Sequence, residues 1–298
     1  MAEKKKADAA AASRRLDVRK TYKMYVGGAF PRSESGRSYA VTDQEGAFVA
    51  NVSRASRKDV RDAVVAARKA FGGWSARTAY NRGQILYRVA EMLEGRRVQF
   101  TTELTLTEDI SRASAEEFVD AAIDRWVWYA GWADKISQVV GAANPVAGPY
   151  FNLSSPEPTG VVGVLAPQNA PLLGLVSVLA PVIVTGNSCV VVASERHPLP
   201  AVTLGEVLAT SDLPGGVVNI LTGHTAELAP WLASHMDIQG LDLTGADEAS
   251  AVDLERAAVD NLKRVLRPDT DEDWHTDPGL ARMTTFLETK TVWHPIGV

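Results

Sequence analysis

The run from Gly160 to Ala193, GVVGVLAPQNAPLLGLVSVLAPVIVTGNSCVVVA, is the longest apolar stretch of the chain. Its length invites a membrane reading, but Pro167, Pro171 and Pro181 interrupt it, and Gly186-Asn187-Ser188 follow. No unbroken span of about 20 apolar residues survives, so no membrane partner is expected. A strand, a helix and a second strand, buried on both faces of a parallel sheet, account for the pattern. The alternation continues downstream. Strands are predicted at 160–166, 188–193, 216–221 and 238–243, and helices at 170–184, 198–209, 225–234 and 248–266. Strands separated by helices of this length are βαβ units, which predicts a doubly wound parallel sheet of the α/β class. Ligands of such sheets bind at the carboxyl ends of the strands, close to helix N-termini.

The upstream half is read in smaller pieces. Residues 21–52 show short β-prone runs broken by Gly and Pro. Ser56 and Asp59 form a capping box for a helix whose Val60, Ala63, Val64, Ala67 and Phe71 share one face. A second helix is expected at 79–94. A third is expected to start at Ser114, with Glu117 completing its cap, and to run to about Ile136. Phe118, Ala122, Trp126 and Tyr129 of that helix form a stripe read as core. The segment from Gln138 to Pro158 has β-prone ends around a turn-rich centre and reads as a hairpin-like arm. Residues 267–283 are polar and acidic. They lack the Gly and terminal Glu of a calcium loop, so a solvated linker is expected rather than a metal site. The end, from Thr284 to Val298, is strand-like.

Charge and cysteine content narrow the function. The net charge of −5 gives no general affinity for nucleic acid. Residues 1–20 hold seven Lys or Arg against three acids, and read as a disordered basic tail. The single cysteine, Cys189, excludes an internal disulfide and suits a reducing cytoplasm. Val190, Val191 and Val192 surround it in a predicted buried strand, so its thiol is expected to be inert. His197, eight residues on, is not placed to pair with it.

Several segments, in order, resemble the aldehyde dehydrogenase superfamily. They are MYVGGAF at 24–30, DVRDAVVAARKAF at 59–71, WYAGWADKI at 128–136, GVVGVLAPQNAPLL at 160–172, LPGGVVNILTG at 213–223, LDLTG at 241–245, NLKRV at 261–265 and ETKTVW at 288–293. The resemblance implies a Rossmann-like cofactor domain, here 21–137 with 159–266. It also implies an oligomerisation arm made of the hairpin at 138–158 and the terminal strand at 284–298. Family members place a catalytic domain, with its nucleophilic cysteine and general-base glutamate, between the NLKRV segment and the terminal strand. About 20 residues occupy that interval here.

The same resemblance marks vestigial site residues. Asn169 matches the amide that stabilises the oxyanion in the family, but without a nucleophile it is read as the cap of the following helix. Pro167, Glu195 and Gly245 match cofactor-binding positions for NAD or NADP. Four neighbouring positions depart from the pattern: Val192 replaces a ribose-binding lysine, Thr225 and Ala229 replace glycines, and Ala246 replaces a phosphate-facing serine. The expectation is a degenerate site, no catalytic residues and no retained cofactor. The function implied is that of a non-catalytic homologue acting as a structural or regulatory subunit of a full-length aldehyde dehydrogenase, joined through 138–158 and 284–298. The alternatives are an NAD(P)-dependent aldehyde oxidoreductase with altered or in-trans chemistry, and a small-molecule sensor using the residual crevice.

Overall fold

The computed structural model of the protein describes residues 18–108, 110–269 and 271–297. Residues 1–17, most of the predicted basic tail, lie outside the described residues.

The chain opens with a small sheet in which β1 (Thr21–Tyr22), β3 (Phe48–Ser53) and β2 (Ser38–Thr42) lie in that order. Helix α1 (Arg57–Ser75) follows, and the Ser56–Asp59 capping box forms as expected. Helices α2 (Ala79–Glu94), α3 (Arg97–Thr107) and α4 (Arg112–Trp132) come next, then the short α5 (Ile136–Val140). Helix α3 was not foreseen, because Thr-rich RVQFTTELTLT has poor helix propensity. Phe100, Thr101 and Leu104 are buried, so tertiary packing overrides propensity there. The cap of α4 is also corrected. Ser111, not Ser114, is its N-cap and accepts from the Ser114 amide at 3.0 Å.

Strands β4 (Ala142–Asn144) and β5 (Tyr150–Pro158) form the hairpin. The main sheet is then built by β6 (Val161–Leu165), α6 (Leu173–Val184), β7 (Ser188–Val192), α7 (Leu199–Leu208), β8 (Val218–Leu221), α8 (Thr225–Ser234), β9 (Gly240–Asp242), α9 (Glu248–Ala258) and β10 (Arg264–Leu266). All pairings in it are parallel, in the order β10-β9-β6-β7-β8. The predicted helix at 248–266 is therefore too long. It stops at Ala258, a 3-10 turn follows, and Leu262 adopts φ +54°, a left-handed conformation that ends helices. Arg264, Val265 and Leu266 then join β9 as a fifth strand.

β6, β7 and β8 are buried along their whole length, which explains their continuous valine-rich sequence. Helices α1, α8 and α9 pack on one face, and α2, α4 and α6 on the other. No helix among the described residues is long and apolar enough to cross a membrane.

After β10 the chain crosses by a polar segment to the short α10 (Ala281–Thr285) and β11 (Leu287–Pro295). The crossing segment was expected to be a solvated linker, but it is fastened to the domain. Arg125, 8% exposed on α4, donates to the Trp274 carbonyl at 2.7 Å and the Thr276 carbonyl at 3.0 Å. β11 pairs antiparallel with β5 over nine residues, giving the sheet β11-β5-β4. One edge of β11 is thus used within its own chain, and the other is an edge of that sheet.

Candidate functional site

Four loops meet at the carboxyl ends of the parallel strands. The loop after β6 carries Pro167, Gln168 and Asn169, and the one after β7 carries Ser194, Glu195 and Arg196. The loop after β8 carries His224, and that after β9 carries Thr244, Gly245, Ala246 and Asp247. Gln168 joins the first two: its Oε1 accepts from the Glu195 amide at 2.9 Å, and its carbonyl accepts from Ser194 Oγ at 2.9 Å. Sequence reasoning passed over Gln168, since a glutamine beside a proline carries no signal of its own.

Between α8 and α9 lies a crevice of about 600 Å³, whose lining includes Glu195, Thr225, Ala229, Asp247 and Leu254. A second hollow of about 480 Å³ adjoins it, bordered by Pro167, Asn169, Asp247, Glu272 and Trp274. Gln168, Gly245, Ala246 and Asp247 border both. The structure therefore gathers Pro167, Asn169, Glu195 and Gly245 around two adjoining hollows.

The structure corrects one of these readings. Asn169 does not cap α6. That helix starts at Leu173 with Leu172 as N-cap and no side-chain cap bond. Asn169 Oδ1 instead accepts from Arg196 Nη1 at 3.3 Å. Gly245 is required by packing within the chain, because a Cβ there would lie 2.0 Å from the Ala166 carbonyl oxygen. Glu195 faces the start of α8. Its Oε2 accepts from the Thr225 amide at 3.0 Å and its Oε1 lies 2.6 Å from His224 Nδ1.

A dinucleotide needs free amides at a helix start and close backbone approach. Here the Thr225 amide is taken by a carboxylate, and Val192 is 1% exposed within the sheet, where it offers no charge. Ala229 and Ala246 present methyl groups where a glycine and a hydroxyl were expected.

Cys189 lies in the middle of the sheet, registered against Val162 on one side and Val218 on the other. It is fully buried, and burial pushes its thiol far above the usual range. It borders neither hollow. Among the described residues no group of three or more His, Cys, Asp or Glu side chains could hold a metal ion.

A five-stranded parallel sheet, helices on both faces and a crevice at the carboxyl ends define a Rossmann-like α/β domain. The Aldehyde dehydrogenase family model matches residues 30–267, and the chain belongs to that family. It is 34% identical over 251 residues to aldehyde dehydrogenase, cytosolic 1, of Elephantulus edwardii, covering 82% of this chain and 49% of that protein. It is 35% identical over 256 residues to human retinal dehydrogenase 2, covering 84% and 48%. The solved NAD+ complex of an aldehyde dehydrogenase from Bacillus cereus superposes with a TM-score of 0.77 at 26% identity, covering 83% of this chain and 50% of that one. The chain thus spans about half the length of the relatives it matches.

Proposed function

We propose that this chain is a non-catalytic aldehyde dehydrogenase homologue that serves as a structural or regulatory subunit of a complete aldehyde dehydrogenase. The observation that carries this reading is the position of Cys189. Aldehyde oxidation by a thiol needs a thiolate within reach of substrate. The chain's one thiol is walled in by β6 and β8 and held protonated by burial. Asn169, which could polarise a carbonyl, lines a hollow that Cys189 does not border.

The route to a partner is the sheet β11-β5-β4. Phe151, Leu153 and Trp293 on it are 60%, 46% and 57% exposed, a large apolar display for strands of a water-facing sheet. The outer edge of β11 offers main-chain groups for strand addition, each bond contributing about 1 kcal/mol. A family member that carries its own catalytic half is the natural recipient.

Affinity purification of the full chain from its native cell, followed by native mass spectrometry and sizing, tests the reading. A complex containing a full-length aldehyde dehydrogenase is expected, lost when residues 286–298 are deleted. A companion-free chain that reduces nicotinamide with an aldehyde would overturn it.

A further inference from the structure

Three arginines meet on the side of α8 turned away from the crevice. The crevice is lined by Thr225, Ala226, Ala229 and Pro230 of that helix, whereas Glu227, Leu228 and Trp231 face a separate hollow of about 180 Å³. Arg37 before β2, Arg54 after β3 and Arg57 in α1 line the same hollow. Main-chain bonds fix their placement. The Arg54 amide donates to the Arg37 carbonyl at 3.0 Å, and the Ala55 amide to the Thr222 carbonyl at 2.8 Å.

One carboxylate stands among these cations. Arg54 pairs with Glu227, its Nε donating to Oε2 at 3.3 Å. That pairing above all, with His224 and Arg37 adding to it, holds the Glu227 carboxyl below its usual range. The Arg57 guanidinium lies over the Trp231 ring, 4.1 Å from its centre, and has no hydrogen bond or ion pair to any described residue. The Arg37 guanidinium has none either; only its backbone amide is engaged, by Ser35 Oγ at 3.3 Å. The hydroxyls in the wall are already engaged: Ser35 Oγ lies 2.8 Å from Ser33 Oγ, and Ser56 Oγ donates to Asp59 Oδ2 at 2.9 Å. Asp59 is 6% exposed behind the wall, where Ser33 Oγ and the Glu34 and Ser56 amides also donate to it. The lining therefore carries three guanidiniums against one carboxylate. Its floor is apolar, with Ala55 3% and Leu228 0% exposed, which keeps water from one side and strengthens the field above it.

Two guanidinium forks without an acidic partner match a dianion better than a carboxylate, and such forks bind phosphate oxygens in pairs. The hollow has room for a phosphoryl group and its first ester atoms, while a nucleoside attached to it would lie outside. We propose that this hollow binds a phosphate monoester, held by Arg37 and Arg57 beside Trp231. The proposal is independent of the subunit role, because none of its residues belongs to the sheet β11-β5-β4.

Calorimetric titration of the full chain with inorganic phosphate at neutral pH tests it. Saturable binding at one site is expected. Arg37 and Arg57 are exposed, so Arg37→Gln and Arg57→Gln leave the fold intact, and each should weaken binding about tenfold. Glu227→Gln removes the internal competitor and should tighten binding about threefold. Arg196→Gln removes the cation of the crevice and should change nothing. Glycerol 3-phosphate and a short phosphoserine peptide distinguish a free phosphorylated small molecule from a phosphorylated partner, the tighter binder identifying the source. No saturable heat with phosphate, a loss on Arg196→Gln equal to that on Arg37→Gln, weaker binding by Glu227→Gln, or failure of both monoesters to bind would each overturn the proposal.

Discussion

Arg282 Nη1 lies 2.9 Å from a carboxylate oxygen of Asp242, a residue 1% exposed at the carboxyl end of β9. Arg282 also pairs with Glu272 and sits with its guanidinium 5.3 Å from the centre of the Trp274 ring. Burial opposes its charge, but Asp242 and Glu272 outweigh that and hold it protonated. The segment after β10 is thereby pinned over the carboxyl end of the parallel sheet. Removing only the cation strands a buried carboxylate. Arg282→Met should lower stability by about 3–5 kcal/mol in urea unfolding. The double variant Arg282→Met, Asp242→Asn should recover most of that loss, and equal losses in both variants would show that the charge pair is not the cause.

Glu103 supplies a pH test. It is 4% exposed, and its Oε1 accepts from Tyr22 Oη at 2.8 Å, Thr203 Oγ1 at 2.7 Å and Gln99 Nε2 at 3.2 Å. Its Oε2 is buried without a hydrogen-bond partner. Burial pushes the carboxyl up, and those three donors pull it back only in part. A carboxyl raised in the folded state stabilises fully below its unfolded value near 4.5, and that stability is lost as pH rises through the folded value. Glu103→Gln should therefore gain melting temperature over the wild type as pH is raised from 4.5 toward 8. A gain near 1 kcal/mol corresponds to roughly 2 °C for a chain of this size. A difference independent of pH would refute ionisation as the origin.

Gly245 separates packing from ligand binding. A Cβ would meet Ala166 backbone at 2.0 Å, with no flexible side chain to give way. Gly245→Ala should cost about 3 kcal/mol in the absence of any ligand, measured by thermal or urea unfolding. A variant as stable as the wild type would return Gly245 to a purely ligand-facing role.

These features differ in how far the sequence discloses them. The βαβ alternation was legible because β6, β7 and β8 are buried on both faces, so each strand is dominated by Val, Ile and Leu. Helix α8 was placed to the residue: it runs from Thr225 to Ser234, with Gly223 shortly before it and Asp237 shortly after. The end of α9 was missed because Ala258 to Leu266 has no Gly or Pro to mark the break, and a left-handed leucine has no signature. At the site, family positions located Glu195 and Asn169, but not their partners. Arg196, His224 and the Thr225 amide are brought to them only by the crossing loops. Nothing in the sequence around Arg125 or Arg282 marks them as members of one network. One signal was available for their network: Asp242, an acid in the middle of the apolar LDL stretch, must find a cation when its strand is buried.

Cys189 gives the last test, and it bears on the chemistry. A nucleophilic cysteine reacts with thiol reagents in the native state at neutral pH, because its thiolate is populated and open to solvent. Cys189 meets neither condition. It is 0% exposed, Asn219 Nδ2 donates to its backbone carbonyl at 3.1 Å, and burial keeps the thiol protonated. Labelling with a chromogenic disulfide should be negligible in native buffer and should follow the unfolding curve as urea is added. Cys189→Ala should unfold about 1 kcal/mol more easily, through the small cavity it leaves, and should be indistinguishable from the wild type in partner binding. Rapid stoichiometric labelling of the folded chain would mean that β7 opens to solvent, and the thiol would again be a candidate for covalent chemistry.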